Sequence, residues 1–185
     1  NISESPSFER VRSNNNLVRL PILEAIRNYP KAIILTAGTN LGYNTFIYLV
    51  FTFTLAYATD RLKLPRSLIL NASMVGSVVQ MASVLGAAAL SDKIGRRPVL
   101  IAGAIGIAIY SFIFFAILDL ATPLAVYIAI TLAYVVSSLM FGPIGAFFCE
   151  HFGAQVRYSG ASLGYQLGAV LGGGFAPSLA VFFYG

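Results

Sequence analysis

Charge is scarce in this sequence. Lys and Arg number 12, Asp and Glu 7, so that charged residues make up 10% of 185. A soluble domain carries roughly a quarter of its residues as Asp, Glu, Lys and Arg, so this chain has too few charges to solvate a globule. Cysteine is nearly absent as well. Cys149 stands alone, which excludes an intrachain disulfide. With one His, no metal-ligand spacing and no acid–base pair, a membrane-embedded enzyme is the remotest alternative and no cofactor is implied. Cys149 and His151 are neighbours in sequence, but positions i and i+2 of a helix do not face each other. No cleavable signal peptide is visible, because the first 30 residues are polar and charged.

What the chain has instead is apolar length. Hydrophobic residues reach 57% and the mean hydropathy is +0.78. Uncharged stretches run over 32–59, 67–91, 98–118, 120–149 and 158–185. Each exceeds the roughly 20 residues that cross a hydrocarbon core as a helix. The sequence therefore predicts an all-α integral membrane protein with five transmembrane helices in 32–185. Asn71-Ala72-Ser73 matches a glycosylation sequon but lies inside the second span, where chance explains it.

The net charge of +5 reports orientation rather than a nucleic-acid partner. Arg10, Arg12, Arg19, Arg27 and Lys31 precede the first span. Lys93, Arg96 and Arg97 follow the second, and Arg157 follows the fourth. On the opposite side stand only Arg61, Lys63 and Arg66. The positive-inside asymmetry places the N-terminal segment and the loops near residues 95 and 153 in the cytoplasm. Residues 1–31 read as a cytoplasmic linker: "SESPSFERVRSNNN" is expected to be mobile, and "LVRLPILEAIRNYP" to form a short amphipathic surface helix ending at Pro30.

The spans differ in polarity. The first carries Thr36, Asn40, Tyr43 and Asn44 at helical spacing, continued by Tyr48 and Thr52. The second carries Ser73, Ser77 and Gln80, the fourth Tyr127, Thr131, Tyr134 and Ser138 with Pro143 as an expected kink, and the fifth Ser162, Tyr165 and Gln166. The third has only Tyr110 and Ser111, and is expected to face lipid almost all round. Ser and Thr can bond back to their own helix, and interhelical polar contacts average only about 0.6 kcal/mol. The amides Asn40, Asn44, Gln80 and Gln166 bring donors and acceptors that lipid cannot satisfy. They fit either a wet central cavity or a dry amide network. No Asp, Glu, Lys, Arg or His lies deep in any span.

Gly160, Gly164, Gly168 and Gly172 recur every fourth residue of the fifth span, with Gly173 and Gly174 after them. In water each would cost about 1 kcal/mol relative to Ala. In lipid they open a smooth seam for a facing helix. The seam is either static packing or a surface on which two halves rock, and the two are compatible.

The short connection "AALSDKIGRRPVL" holds Asp92, Lys93, Gly95, Arg96 and Arg97. A tight turn with cations kept inside explains the basic residues but not Asp92 among them. The segment resembles the loop motif G-x-L-x-D-[RK]-x-G-[RK]-[RK] of the major facilitator superfamily, with Ala88 where that family has Gly. The resemblance implies that the five spans are helices seven to eleven, most of the C-terminal six-helix repeat of a twelve-helix fold. The chain is then a fragment, and the missing half is its partner. "FGPIGAFFCEHFGAQ" and "VRYSGASLGYQLGAVLGGGFAP" resemble helices ten and eleven of the metabolite:proton symporter family, whose members carry α-ketoglutarate, citrate, shikimate and proline or betaine.

The function so implied is secondary active transport by alternating access across the cytoplasmic membrane. The expected cargo is a small polar metabolite, an organic acid or zwitterion, carried in symport with protons. The coupling residue is expected in the N-terminal half. The resemblance puts helices seven and ten on the solute path, which gives Asn40, Tyr43, Asn44 and Tyr134 as solute contacts, and the span amides Gln80 and Gln166 complete the cavity candidates. Asp92, Lys93, Gly95, Arg96, Arg97, Glu150 and Arg157 form an expected cytoplasmic gating cluster that closes in one state and breaks in the other. A non-transporting sensor or scaffold on the same fold is the alternative.

Overall fold

The computed structural model describes residues 21–175 together with Ser178 and Phe182. The first twenty residues, and with them the "SESPSFERVRSNNN" segment, lie outside the described residues.

Helix α1 (Pro21–Asn28) starts with Pro at the position where the missing N–H costs nothing. It places Glu24 in its first turn and Arg27 in its last, as the helix dipole favours. Ile22, Leu23 and Ile26 are exposed, while Ala25 is buried against Phe152 and Val156. The second proline, Pro30, opens the next helix, so the break falls at Tyr29.

Helix α2 runs from Pro30 to Asp60 with one π-helical turn at Leu49–Phe53. Helix α3 (Arg66–Ile94) follows Pro65, and α4 (Arg96–Leu118) follows after one residue. That residue is Gly95, at φ 95°, a conformation that strains any residue with a Cβ. Helix α5 (Pro123–Glu150) is capped by Thr122, whose Oγ1 accepts from the Ala125 amide at 3.2 Å. It remains one helix through the buried Pro143. Helix α6 (Arg157–Ala169) passes into a second π-helical turn, Val170–Phe175.

Among the described residues, α2, α3, α4 and α5 are long and apolar enough to cross a membrane. The fifth span, expected over 158–185, is α6 with its π turn, and its end lies beyond the described residues except for Ser178 and Phe182. The architecture is all-helical and multi-pass.

Helix α5 is the hub, packed on α3 along one face and on α4 along another, while α2 pairs with α6. Side-chain deletion sets these distances. At Gly103 a Cβ would lie 2.9 Å from the Met140 amide, and at Gly142 it would lie 2.8 Å from that of Ala88. One correction to the sequence expectation follows. Helix α4 does not face lipid almost all round: Val99, Leu100, Gly103, Ile107, Tyr110, Phe114 and Leu118 are buried. Tyr110 donates to the Ala129 carbonyl at 2.9 Å. Only the other face, with Ile101, Ile105, Ile109 and Phe112, is exposed. A helix with so few polar residues can still be half-buried, since apolar packing on α5 leaves no polarity signature.

Candidate functional site

The polar residues of α2 separate into two environments. Thr36, Asn40 and Asn44 are buried where α2 meets α6. A Cβ on Gly168 would lie 2.6 Å from Asn40 Cβ, and one on Gly172 would lie 3.1 Å from Asn44 Cβ. Gly164 faces Thr36. The seam is therefore filled within this bundle by α2, whose backbone carbonyls of Ala37 and Leu41 also lie against it. Gly160 meets the ring of Phe152.

Hydrogen bonding fits this packing. Asn40 Nδ2 donates to the Tyr165 carbonyl at 2.5 Å, and Asn44 Nδ2 donates to the Asn40 carbonyl at 2.9 Å. Thr36 bonds back to Ala32 at 2.9 Å. Asn40 Oδ1 is buried without a protein partner, a costly state for an amide oxygen.

The second environment is aromatic. The Tyr43 ring stacks on Phe141 with centroids 5.2 Å apart, and its phenol lies within electrostatic reach of those of Tyr165 and Tyr134. The Tyr134 ring lies against α3 because Gly76 has no side chain: a Cβ there would sit 2.5 Å from the ring. Its hydroxyl is beside Ser73 and Ser77. Gln80 Nε2 donates to Ser137 Oγ at 3.4 Å, and Gln166 is exposed on α6. Of the six cavity candidates, the structure thus brings Tyr43 and Tyr134 together with Tyr165 and holds Asn40 and Asn44 in the α2–α6 contact. Gln80 stays at the α3–α5 contact. Sequence reasoning left out Phe141 because apolar rings in apolar spans carry no signal of their own.

At the α1 end, Asp92 Oδ1 pairs with Arg96 at 3.3 Å, and Glu150 also contacts the Arg96 guanidinium. Arg96 Nε is buried and unpartnered. One cation thus joins the last turns of α3 and α5 to the first turn of α4. Gly95 makes this possible by letting α4 start only one residue after Ile94 ends α3. Lys93 and Arg97 are exposed outside this triad. Arg157 instead donates to the Phe152 carbonyl at 3.4 Å.

The opposite end holds a cluster that the sequence pattern did not reveal. Tyr57 donates to Asp119 Oδ1 at 2.6 Å across α2 and the end of α4. Phe53 and Phe115 pack edge-on with centroids 6.0 Å apart beside it.

Comparison with known proteins adds an independent line. The family model described as Major Facilitator Superfamily matches residues 3–183. The chain is 33% identical over 182 residues to the shikimate transporter of Escherichia coli (strain K12), covering 97% of this chain and 42% of that protein. It is 30% identical over 184 residues to the inner membrane metabolite transport protein YhjE of the same organism, again 97% and 42%. A putative proline/betaine transporter of Staphylococcus aureus (strain COL) is 26% identical over 97% of this chain and 39% of its own length. The chain spans about two-fifths of the length of these curated relatives. No solved structure gives a significant match.

Proposed function

Because the chain belongs to the Major Facilitator Superfamily, we propose that it is most of the C-terminal half of a secondary active transporter for a small polar metabolite. Residues 1–31 would lead into this half as a cytoplasmic linker, with the α1 end of the bundle in the cytoplasm. The observation that carries the proposal is the family match over nearly all of the chain, beside an aromatic surface in which Tyr43 of α2 stacks on Phe141 of α5 and Tyr165 of α6 packs on Phe148 of α5. Phenol rings grip a carbon skeleton while their hydroxyls bond carboxylate oxygens. Gln80 and the exposed Gln166 add uncharged donors. Relatives named for shikimate and for proline or betaine fit such a surface, and favour an organic acid or zwitterion as cargo. Transport, not catalysis, is the activity that these relatives support.

Alternating access needs both repeats, with solute held near the midplane between them. No Asp, Glu, Lys, Arg or His lies deep in these five spans, so proton coupling would be supplied by the N-terminal half. Asp92, Arg96 and Glu150 would act as a gate by holding three helix ends together in one state and releasing them in another. Surface ion pairs are individually weak, which suits a device that biases an equilibrium rather than locking it.

The test is uptake by the full-length protein in proteoliposomes. Shikimate, di- and tricarboxylates, proline and betaine would be offered with and without an inward proton gradient. Saturable uptake that collapses with the gradient supports symport, and Tyr134→Phe should raise KM for the accepted solute. Uptake indifferent to the gradient refutes the coupling, and no uptake of any solute favours a sensor of the same fold.

A further inference from the structure

Two cavities meet at the α1 end of the bundle. One, of about 590 Å³, is walled by Arg27, Asn28, Tyr29, Lys31, Arg97 and His151, among others. The second, of about 780 Å³, runs along α2 and α4 past Gly38, Gly42, Ile101 and Ala104. Leu35 and Arg97 line both. A cationic chamber thus opens directly into an apolar lane.

The charges of the chamber are uncommitted. Asp92 and Glu150 both go to Arg96, and Glu24 accepts from Asn28. Among the described residues, no carboxylate pairs with Arg27, Lys31 or Arg97. His151 lies 2.7 Å from the Phe147 carbonyl through Nδ1, so that nitrogen carries the proton and Nε2 is left for another partner. The chamber also sits at the boundary between lipid and water, since Ile22, Leu23 and Ile26 of α1 are exposed beside it, as on a helix lying in the interface.

We propose that this chamber holds the phosphate of an anionic phospholipid, with an acyl chain leaving along the apolar lane at Leu35. Three cations around one opening complement a phosphodiester, and basic pockets between helices at a membrane face suit anionic head groups. A water-soluble anion would use the charges but leave the apolar lane idle, so the lipid is the better match. The inference rests on the membrane-spanning placement and is independent of which solute is carried.

Native mass spectrometry of the full-length, delipidated protein tests it, with phosphatidylglycerol and phosphatidylcholine of identical chains as probes. Phosphatidylglycerol should bind in preference. Arg27→Gln and Lys31→Gln should each weaken it by about fivefold, the value of one interfacial cation. Arg27→Lys, which keeps the charge, should retain binding, separating lost charge from lost fold. The proposal is overturned if phosphatidylcholine binds as well, or if Arg27→Gln with Lys31→Gln leaves the preference intact. It is equally overturned if inorganic phosphate at the same concentration displaces the lipid, which would make the chamber a site for free anions.

Discussion

At Gly168 an added methyl would lie 2.5 Å from the Ala37 carbonyl and 2.8 Å from the Leu41 amide. Backbone cannot step aside as a side chain can, so overpacking here costs about 1–3 kcal/mol. Gly168→Val in the full-length protein should lower the thermal midpoint in detergent, whereas Gly86→Ala, with nothing within 4 Å of the added Cβ, should not. The same scale governs Tyr57. Its hydroxyl gives a 2.6 Å bond to the Asp119 carboxylate, and hydrogen bonds to charged groups contribute about 1.5–3 kcal/mol. Tyr57→Phe should therefore destabilise by up to that amount, and Asp119→Asn should show coupling to it in a double-mutant cycle. Independent, additive effects would mean that the pair contributes nothing.

At the scale of elements, the connection between α3 and α4 is a single residue, and its φ of 95° is open to Gly alone at low cost. Gly95→Ala should cost about 1–3 kcal/mol from backbone strain, since φ 95° with ψ 152° is a region essentially reserved for Gly, visible as a lower unfolding midpoint. The Arg96 triad joins three helix ends across that turn. Arg96→Gln should destabilise more than Asp92→Asn or Glu150→Gln alone, because it leaves two carboxylates without their cation, whereas either acid substitution leaves Arg96 one partner. The two acid substitutions should also combine non-additively, since they share one partner. Equal losses for all three would show that the charges act separately. Both π-helical turns, Leu49–Phe53 and Val170–Phe175, fall on the paired helices α2 and α6. Thr54 Oγ1 lies 3.4 Å from the Leu49 carbonyl, which also accepts the Thr54 amide across the turn.

Over the whole molecule, α5 is the organising helix and α2 its counterpart, each with its own partners. The residues of the aromatic cluster come from α2, α5 and α6, so a solute bound there senses relative movement of these helices. Tyr165→Phe should reduce transport by the full-length protein by a few-fold with little change in thermal midpoint, read as a rise in KM in proteoliposomes. A fall in stability with no kinetic change would assign Tyr165 to packing.

Charge scarcity and five long apolar stretches were enough to establish an all-helical membrane protein, because no water reaches the bilayer core and only helices or closed barrels satisfy the backbone there. The motif around Gly95 was equally legible, since a turn of one residue between two helices leaves little choice of sequence. Helical spacing grouped Thr36, Asn40, Tyr43 and Asn44 on one polar face, but it carries no information about what that face meets. Tertiary structure decided that Asn40 and Asn44 pack on the α6 glycines while Tyr43 turns toward Phe141 and Tyr165. It likewise decided that half of α4 is covered and that Asp119 receives the Tyr57 hydroxyl. In lipid these choices turn on close packing and on which donor finds which acceptor. Neither is written into the periodicity of a single span.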